Sequence, residues 1–439
     1  MAADLGGRPP SAPPRTGPEV LPFGIAAVPG EPVLRWDGAA TTVAAVEREL
    51  ARIWSSPPAR DAIGGEGREE RTVAARTSVL NLVVVARRPE IGERVAAEIS
   101  TLTGRHPSRT LVLVPTDPDG PPWFRAQVRA YCMAARDGAP ETCAELVYAV
   151  AGGETGRHLA AVVTPLLVHD LPVALWWPGD PPFGTRPADE LVALADRLIV
   201  DGSAWPGDGL DRLRAVARLA RSVEVTDFAV LRQARWREAI AAAFDRADLR
   251  PYLGSLRQIT VTHASHGGPD ADWSTNVVRP VYHVAWLASR LGLRPIRALH
   301  RDTRPEDRGR RRASRPAPPG GPADPGRDLR ATLGAGRGRT VEVVIRPAIS
   351  TVAAGTTLRV ELLAERRGRE LRVEATAEAD VVRVRARERG IEVLDRPYLA
   401  SRRTETDLLA EAIEVGAPDH VALDALKTAA ALAAPEAQP

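Results

Sequence analysis

The sequence predicts an α/β protein with mixed, mostly parallel sheets flanked by helices, followed by a C-terminal antiparallel β-rich segment with closing helices. Residues 78–86 are apolar and β-branched on both faces, which is typical of a strand buried in a parallel sheet. An amphipathic helix over 89–102 and a strand over 110–114 follow, and this spacing indicates a βαβ unit. Several short strands at close spacing after residue 338 indicate an antiparallel meander.

The other elements follow from hydrophobic periodicity. Apolar residues at helical spacing after a capping threonine predict a helix over 41–54. Residues 123–133 alternate between apolar and polar and predict a strand with one buried face, with an antiparallel return over 141–151. Helices and strands then alternate: helix 152–169, strand 172–177, helix 187–196, strand 197–201, helix 207–220, strand 222–226, helix 228–246, strand 257–262 and a helix capped by Gly292. The C-terminal strands are predicted over 341–345, 357–363, 371–375 and 381–384, and the closing helices over 405–415 and 420–432.

Shifts in composition divide the 439 residues into five segments, and a chain of this length has room for two or three domains. The segment rich in Arg, Pro and Gly is too polar to offset the entropy of ordering it, so we expect a linker or loop there. The segments are a disordered leader over 1–38, an N-terminal α/β domain over 39–185, a second α/β domain over 186–300, the linker or loop over 301–338, and the meander with its helices over 339–439.

Composition and charge indicate a soluble globular protein of the cytoplasm. Hydrophobic residues make up 44% and charged residues 26% of the chain, and the net charge of +3 exerts no strong pull toward nucleic acid or membrane. No signal peptide is visible, and no apolar run approaches the roughly 18 residues of a membrane helix. Two cysteines, Cys132 and Cys143, favour a reducing compartment and argue against a disulfide scaffold or a cysteine zinc site.

The stretch from Leu171 to Phe183 is the most informative part of the sequence. It carries a short apolar strand into two adjacent tryptophans, Trp176 and Trp177, and then into a loop stiffened by prolines. Successive side chains of a strand point to opposite faces, so the two indoles cannot share one side of the sheet. We expect one to pack inside and the other to stand at the rim as an anchor for a partner, with Phe183 beside it. Burial of both under neighbouring helices remains open.

A glycine-rich turn over 151–158 is the nearest approach to a phosphate-binding loop. It follows a predicted strand and opens a helix, so the free amides of Gly152 and Gly153 are candidates for holding an anion, with Arg157 and His158 adding positive charge. Ordinary turns before helices have the same composition, and a capped or hydrated turn is the alternative.

No catalytic constellation can be assembled from the spacing. His106 and Arg109 lie just before a core strand, where the arginine is a candidate contact for a carboxylate or phosphate of a partner. The structural alternative is that this segment only ends a helix and satisfies loose backbone groups. His263 and His266 have no third ligand in view, so we expect no metal, and no motif calls for a cofactor. The sequence therefore predicts a protein that is not an enzyme.

Eight motifs occur along the chain in this order: Arg76-Thr-Ser-Val-Leu-Asn-Leu-Val83, His106-Pro-Ser-Arg109, Gly152-Gly-Glu-Thr-Gly-Arg-His-Leu159 through Pro165-Leu-Leu, Asp170-Leu-Pro-Val-Ala-Leu-Trp-Trp177, Ala195-Asp-Arg-Leu-Ile-Val-Asp201, Ser222-Val-Glu-Val-Thr-Asp227, Arg235-Trp-Arg-Glu238 and Ala285-Trp-Leu-Ala-Ser-Arg-Leu291. Together they resemble the family of glucose-6-phosphate dehydrogenase assembly proteins called OpcA. The resemblance covers roughly residues 40–295 well and the remainder weakly.

The resemblance implies a non-catalytic partner that binds glucose-6-phosphate dehydrogenase and promotes its oligomeric assembly or activity in the oxidative pentose phosphate pathway. Two other classes remain open. One is a sugar-phosphate-binding enzyme that uses the turn from Gly152 to His158. The other is a nucleic-acid binder through the arginines of 301–316, although these are interleaved with Pro, Glu and Asp and lack stacking aromatics.

Overall fold

Two eight-stranded sheets organise the molecule. The computed structural model describes residues 31–55, 78–133, 142–266, 275–301, 328–414 and 418–435. In this part of the chain no helix is long and apolar enough to cross a membrane.

The first sheet has the strand order β1-β4-β5-β3-β2-β6-β7-β8. Its strands are β1 (Pro32–Ala40), β2 (Leu80–Val85), β3 (Ser108–Thr116), β4 (Trp123–Met133), β5 (Thr142–Gly152), β6 (Val173–Trp177), β7 (Arg197–Val200) and β8 (Glu224–Asp227). β1 and β4 pair antiparallel, and β4 pairs antiparallel with β5, as the alternation in the sequence predicts. All pairs from β5 through β8 are parallel.

The six parallel strands follow a doubly wound order. Numbered along the chain from β2, their order across the sheet is 3-2-1-4-5-6, which is the order of the dinucleotide-binding α/β fold. The chain runs outward from β2 to β5 and then returns to place β6 on the other side of β2. The point where the direction reverses therefore lies between β2 and β6.

Helices cover both faces of the first sheet. They are α1 (Val43–Ser55), α2 (Pro89–Ser100), α3 (Gly153–Arg157), α4 (Leu159–Val163), α5 (Arg186–Val192), α6 (Leu210–Leu219) and α7 (Phe228–Leu231). The next helix, α8 (Ala234–Ala243), packs on the second sheet. The central strand β2 is buried at every position because helices lie on both sides of it. The predicted α/β class is confirmed.

The second sheet has the order β10-β11-β12-β9-β13-β14-β15-β16. Its strands are β9 (Leu256–Ser265), β10 (Arg294–Arg301), β11 (Leu329–Gly334), β12 (Thr340–Ile349), β13 (Thr357–Arg366), β14 (Arg369–Glu378), β15 (Val381–Glu388) and β16 (Ile391–Leu399). The last four form an antiparallel meander. β12 does not continue it as the sequence predicts, because β9 lies between them and pairs parallel with β12.

Three further helices pack against the sheets or against one another. Helix α9 (Val278–Arg290) packs against β9, and the C-terminal helix α11 (His420–Leu432) packs against α9 and α6. Helix α10 (Glu405–Ile413) lies instead on the first sheet, where Leu408 and Leu409 share a core cluster with Trp176. The C-terminal helices therefore belong to both layers and not to the meander alone.

The strand pairing departs from the segment boundaries that the sequence suggests. The boundary between 185 and 186 cuts through the first sheet, because β7 and β8 continue it beyond β6. The second sheet begins only at β9, which the sequence places in the second α/β domain. Parallel strands of this length look alike whichever sheet they join, so the sequence alone does not separate them.

A strand occupies part of the predicted leader, and another strand occupies part of the predicted linker. Residues 32–38 lie in β1, which pairs with β4, while 1–30 lie outside the described residues. Residues 329–334 lie in β11, which pairs with β10 and β12, while 302–327 lie outside the described residues. The apolar alternation of β11 is difficult to recognise in the sequence. Only Ala331 and Leu333 are fully buried, and an arginine lies on the open face of the strand.

The two cysteines form a disulfide, which corrects the expectation drawn from their number. Cys132 on β4 and Cys143 on β5 are direct partners in the antiparallel register, and a disulfide joins them. Both side chains are fully buried.

Candidate functional site at the carboxyl edge of the first sheet

The parallel strands of the first sheet all end at one edge, where doubly wound proteins bind their ligands. The reversal point between β2 and β6 is the centre of this edge. We therefore describe the side chains that follow each strand, beginning with β2.

The turn after β2 departs from the glycine pattern that holds a dinucleotide. That pattern, Gly-x-Gly-x-x-Gly, needs its third glycine for close packing of helix on strand. Gly92 meets this need, since a Cβ there would lie 2.8 Å from Val114 Cγ2. Counting back from Gly92, the first two glycines are replaced by Arg87 and Pro89. Pro89 begins helix α2 and has no N–H for a phosphate, and its ring stands where a pyrophosphate would approach the backbone.

An ion-pair cluster of the protein's own side chains spans the reversal point. Asp180 follows β6, and its two carboxylate oxygens accept hydrogen bonds of 2.6 and 3.0 Å from Arg212 of helix α6. Arg87 after β2 lies 3.7 Å from the same carboxylate. The hydrogen bonds to Asp180 raise the pKa of Arg212. The crevice therefore holds a carboxylate paired with two guanidinium groups.

Both tryptophans at the end of β6 are buried. Trp176 packs against Phe228 with ring centroids 5.8 Å apart, and Trp177 packs edge-on against Phe183 at 6.0 Å on the other face. The opposite orientation of the indoles is as predicted, but neither side stands at the rim, since Trp176 is 0% and Trp177 2% exposed. The sequence leaves open whether one indole stands at the rim or both are buried, and the structure shows that both are buried. Only Phe183, which is half-buried, retains a surface that a partner can contact.

Arg109 is an internal residue and does not face a partner. Its Nε donates a 2.5 Å hydrogen bond to Glu145 of β5, and Nη1 donates to the carbonyl of Leu166. The other oxygen of Glu145 accepts from the indole of Trp54, so the ion pair ties β3 and β5 to helix α1. His106 is mostly buried beside Glu414, and burial followed by the charge of Arg105 lowers its pKa.

The polar and charged groups of the glycine turn after β5 already have partners in the protein. The amide of Gly153 donates to the carbonyl of Asp117, and the residue has a positive φ of 55° with no room for a Cβ. Arg157 pairs with Asp119 at 2.6 Å, and His158 lies 2.8 Å from a carboxylate oxygen of Glu154. The helix that follows has only five residues. The charges proposed for an anion are therefore already paired, Arg157 with Asp119 and His158 with Glu154.

At the far end of the edge, β8 ends in a buried carboxylate. Asp227 accepts hydrogen bonds from the amides of Gly202 and Ala229 on one oxygen and from the hydroxyl of Tyr282 on the other. Burial raises the pKa of Asp227 to about 6. These bonds hold the end of the first sheet against helix α9.

The most exposed tryptophan near this edge is one that the sequence does not single out. Trp123 begins β4, is 37% exposed, and lies over Gly152, where a Cβ would stand 2.0 Å from the indole nitrogen. The guanidinium of Arg125 lies 5.8 Å from the ring centroid. The signal for it was available, since Trp123 is in phase with the polar residues of the alternating strand and therefore lies on its open face. Within the described ranges, no cluster of three histidine, cysteine, aspartate or glutamate side chains suits a metal ion.

Comparison with known proteins places this architecture in a family. Residues 97–218 match the model described as the glucose-6-phosphate dehydrogenase subunit N-terminal domain, and residues 223–426 match the corresponding C-terminal domain. Two curated relatives, each described as an OxPP cycle protein OpcA, are similar. The one from Synechocystis is 26% identical over 45% of this chain and 39% of its own length. The one from Synechococcus elongatus is 26% identical over 46% of this chain and 44% of its own length.

The match therefore spans less than half of either relative. A solved structure, the aldose-aldose oxidoreductase from Caulobacter crescentus, aligns with a TM-score of 0.40 and 13% identity over 80% of this chain and 94% of that one, a likeness too low to carry any conclusion about activity. The two domain models lie side by side along most of the chain, and the chain belongs to the OpcA family.

Proposed function

We propose that this protein is a non-catalytic partner of glucose-6-phosphate dehydrogenase that binds the enzyme and promotes its oligomeric assembly or activity. The observation that carries the proposal is the match of both domain models, which are described as parts of a glucose-6-phosphate dehydrogenase subunit. The proposal gives the protein a place at the entry to the oxidative pentose phosphate pathway, in the cytoplasm with its enzyme.

The reversal point of the first sheet supports a role without nicotinamide chemistry. A doubly wound sheet holds a dinucleotide through backbone amides and glycines at the first βα turn. Here Arg87 and Pro89 stand at two of the three glycine positions. Asp180 lies in the same crevice and is held there by its own partners, Arg87 and Arg212.

Contact with the enzyme requires an exposed surface, and Trp123 is the anchor we propose. Interfaces concentrate their binding energy in a few Trp, Tyr and Arg side chains. Trp123 and Arg125 form such a pair on the surface of β4. Phe183 and His106 remain secondary candidates, whereas Trp176, Trp177 and Arg109 are too deeply buried to touch a partner in this conformation.

The test measures the cognate dehydrogenase with and without this protein. We expect the purified protein to show no oxidation of glucose 6-phosphate by itself. Added to the dehydrogenase, it raises activity at limiting substrate or shifts the enzyme to a larger assembly in analytical ultracentrifugation. Turnover without the dehydrogenase, or an enzyme whose mass and activity do not change at a saturating excess, contradicts the proposal.

The alternative of a sugar-phosphate-binding enzyme using the turn from Gly152 to His158 gains no support from the geometry. Arg157 and His158 already lie against Asp119 and Glu154. The nucleic-acid alternative concerns 301–316, of which 302–316 lie outside the described residues.

A further inference from the structure

A cluster of basic side chains lies between the two sheets, away from the reversal point. Its centre is Arg279, the second residue of helix α9, whose side chain is partly buried. The Nε atom is buried without a hydrogen-bond partner. Nη1 makes one long contact, 3.4 Å, with the hydroxyl of Thr356 at the start of β13. No carboxylate of the described residues forms an ion pair with it.

The neighbour of Arg279 is a second cation. Burial, followed by the charge of Arg232, lowers the pKa of Arg279 to about 10. Asp201, the acid that faces both guanidinium groups, is already engaged. Its Oδ1 accepts hydrogen bonds from Arg232 at 2.7 Å and from the amide and hydroxyl of Ser203. The oxygens of Asp227 are likewise taken by Tyr282 and two backbone amides.

The environment deeper along helix α9 is also cationic. His283, one turn after Arg279, is fully buried with both ring nitrogens unpartnered. Burial and the charges of Arg279 and Arg237 lower the pKa of His283 to about 3, so it is neutral. Arg237 is partly buried and donates a hydrogen bond to the carbonyl of Val230. Burial lowers its pKa, and the charges of Asp419, Glu411 and Glu238 oppose that shift. Arg279 and Arg232 therefore share one carboxylate, Asp201, which leaves this pair of guanidinium groups with an excess of positive charge.

Its position and donors indicate which anion fits. The cluster lies between the two sheets, where β7 ends and β13 begins, and Arg232 and Asp201 keep only 23% and 13% of their side-chain surface exposed. So little exposed surface suits a small group and not a protein loop. Two guanidinium groups with the neighbouring hydroxyl of Thr356 match the several oxygens of a phosphate better than the two of a carboxylate.

We propose that this cluster binds the phosphate group of a small phosphorylated molecule, with Arg279 and Arg232 as its principal ligands. Arg279 holds the phosphate through Nε and a terminal nitrogen, and Thr356 donates its hydroxyl. Arg232 stays on Asp201 through Nη1 and turns its remaining nitrogens to the ligand. The site is independent of the proposed function, because it uses none of the surface around Trp123.

The test follows thermal denaturation of the full-length protein in sodium phosphate, sodium acetate and sodium chloride at equal ionic strength and pH. We expect phosphate to raise the melting temperature by several degrees in a saturable way, and acetate to match chloride. Titration calorimetry with glycerol 3-phosphate then measures the affinity for a phosphomonoester. A rise with acetate as large as with phosphate overturns the choice of ligand.

Variants separate a site from a general salt effect. Arg279→Gln should abolish the phosphate response and weaken glycerol 3-phosphate binding at least tenfold, while its melting temperature in chloride stays equal to or above that of the wild type, because a partly buried charge that forms no ion pair is gone. Arg235→Gln is the matched control, since Arg235 is exposed on α8 and pairs with Glu238. An equal phosphate shift in wild type, Arg279→Gln and Arg235→Gln overturns the proposal. If Arg279→Gln fails to fold, Thr356→Val keeps the charge, and an unchanged affinity in that variant has the same consequence.

Discussion

Truncation of either tryptophan at the end of β6 should destabilise the fold and leave partner contact unaffected. The two indoles lie on opposite faces of the sheet, so each change empties a different core. Trp176 shares its cluster with Phe228 and helix α10, and Trp177 shares the other with Phe183 and α5. Both Ala variants therefore probe the packing of helices onto the first sheet.

The expected size follows from burial. A tryptophan buries about 150–250 Å², which at about 25 cal/mol per Å² corresponds to roughly 4–6 kcal/mol of transfer free energy. Both indole nitrogens are buried without a hydrogen-bond partner, which offsets about 1–3 kcal/mol of that gain. The cavity left behind adds a cost, and we expect Trp176→Ala and Trp177→Ala each to lose about 3–5 kcal/mol in the free energy of unfolding.

Urea denaturation followed by circular dichroism measures the loss, and the Phe variants are the matched controls. Trp176→Phe and Trp177→Phe keep a ring and remove the unpartnered N–H, so each should cost less than about 2 kcal/mol. If either Ala variant stays within about 1 kcal/mol of the wild type, that indole is not packed as described and the rim interpretation returns.

Three further outcomes follow. Burial raises the pKa of Asp227 to about 6 from 3.8, so the native state holds a proton that the unfolded state loses between these values. Stability should therefore fall by roughly 3 kcal/mol as pH rises through that window, at about 1.4 kcal/mol per pKa unit, and Asp227→Asn should flatten the profile of unfolding free energy against pH. Glu145→Gln leaves Arg109 buried without its counter-charge and should cost about 3–5 kcal/mol in urea titrations; a loss below about 1 kcal/mol would show the pair to be solvated. Trp123→Ala should weaken binding to the dehydrogenase roughly 30-fold in titration calorimetry, because truncation of an interface anchor costs about 2 kcal/mol of binding free energy. The melting temperature should change little. Unchanged affinity would place the interface elsewhere.

Much of the fold could be predicted because local patterns carry it. The run over 78–86 is apolar on both faces, and β2 is indeed buried throughout. The alternation over 123–133 marks a strand whose inward residues are small and apolar, and β4 has these bounds. Such periodicity depends only on which face meets the core. It says nothing about which strand lies alongside.

The remaining parts of the fold depend on pairing between distant residues. β9 separates β12 from the meander, although more than 70 residues lie between β9 and β12 in the chain. The edge strand β10 is mostly exposed and carries arginine and proline, so no hydrophobic pattern marks it. The C-terminal helix α10 reaches back to the first sheet through contacts that composition does not reveal.

The same reasoning explains the site residues. Arg109 looks available in the sequence because its partner, Glu145, lies 36 positions away on β5. Arg157 looks available because Asp119 is 38 positions away. A charge in a sequence has no visible counter-charge until the fold is known, so candidate binding residues chosen by charge are often internal pairs. The exception is a cation that the fold leaves unpaired, as at Arg279.

At the carboxyl edge of the first sheet, the strand order of a dinucleotide-binding fold is present without the glycines that would hold a dinucleotide. The strand order is that of a dinucleotide-binding fold, yet the turn after β2 presents Arg87 and Pro89 where that chemistry needs glycine. Gly92, which serves only the packing of helix on strand, is present. Packing requirements are thus met and ligand requirements are not, which is the pattern expected when a fold is kept for its shape and surface. The role that we propose, as a partner of glucose-6-phosphate dehydrogenase, needs that shape and surface and no nicotinamide site.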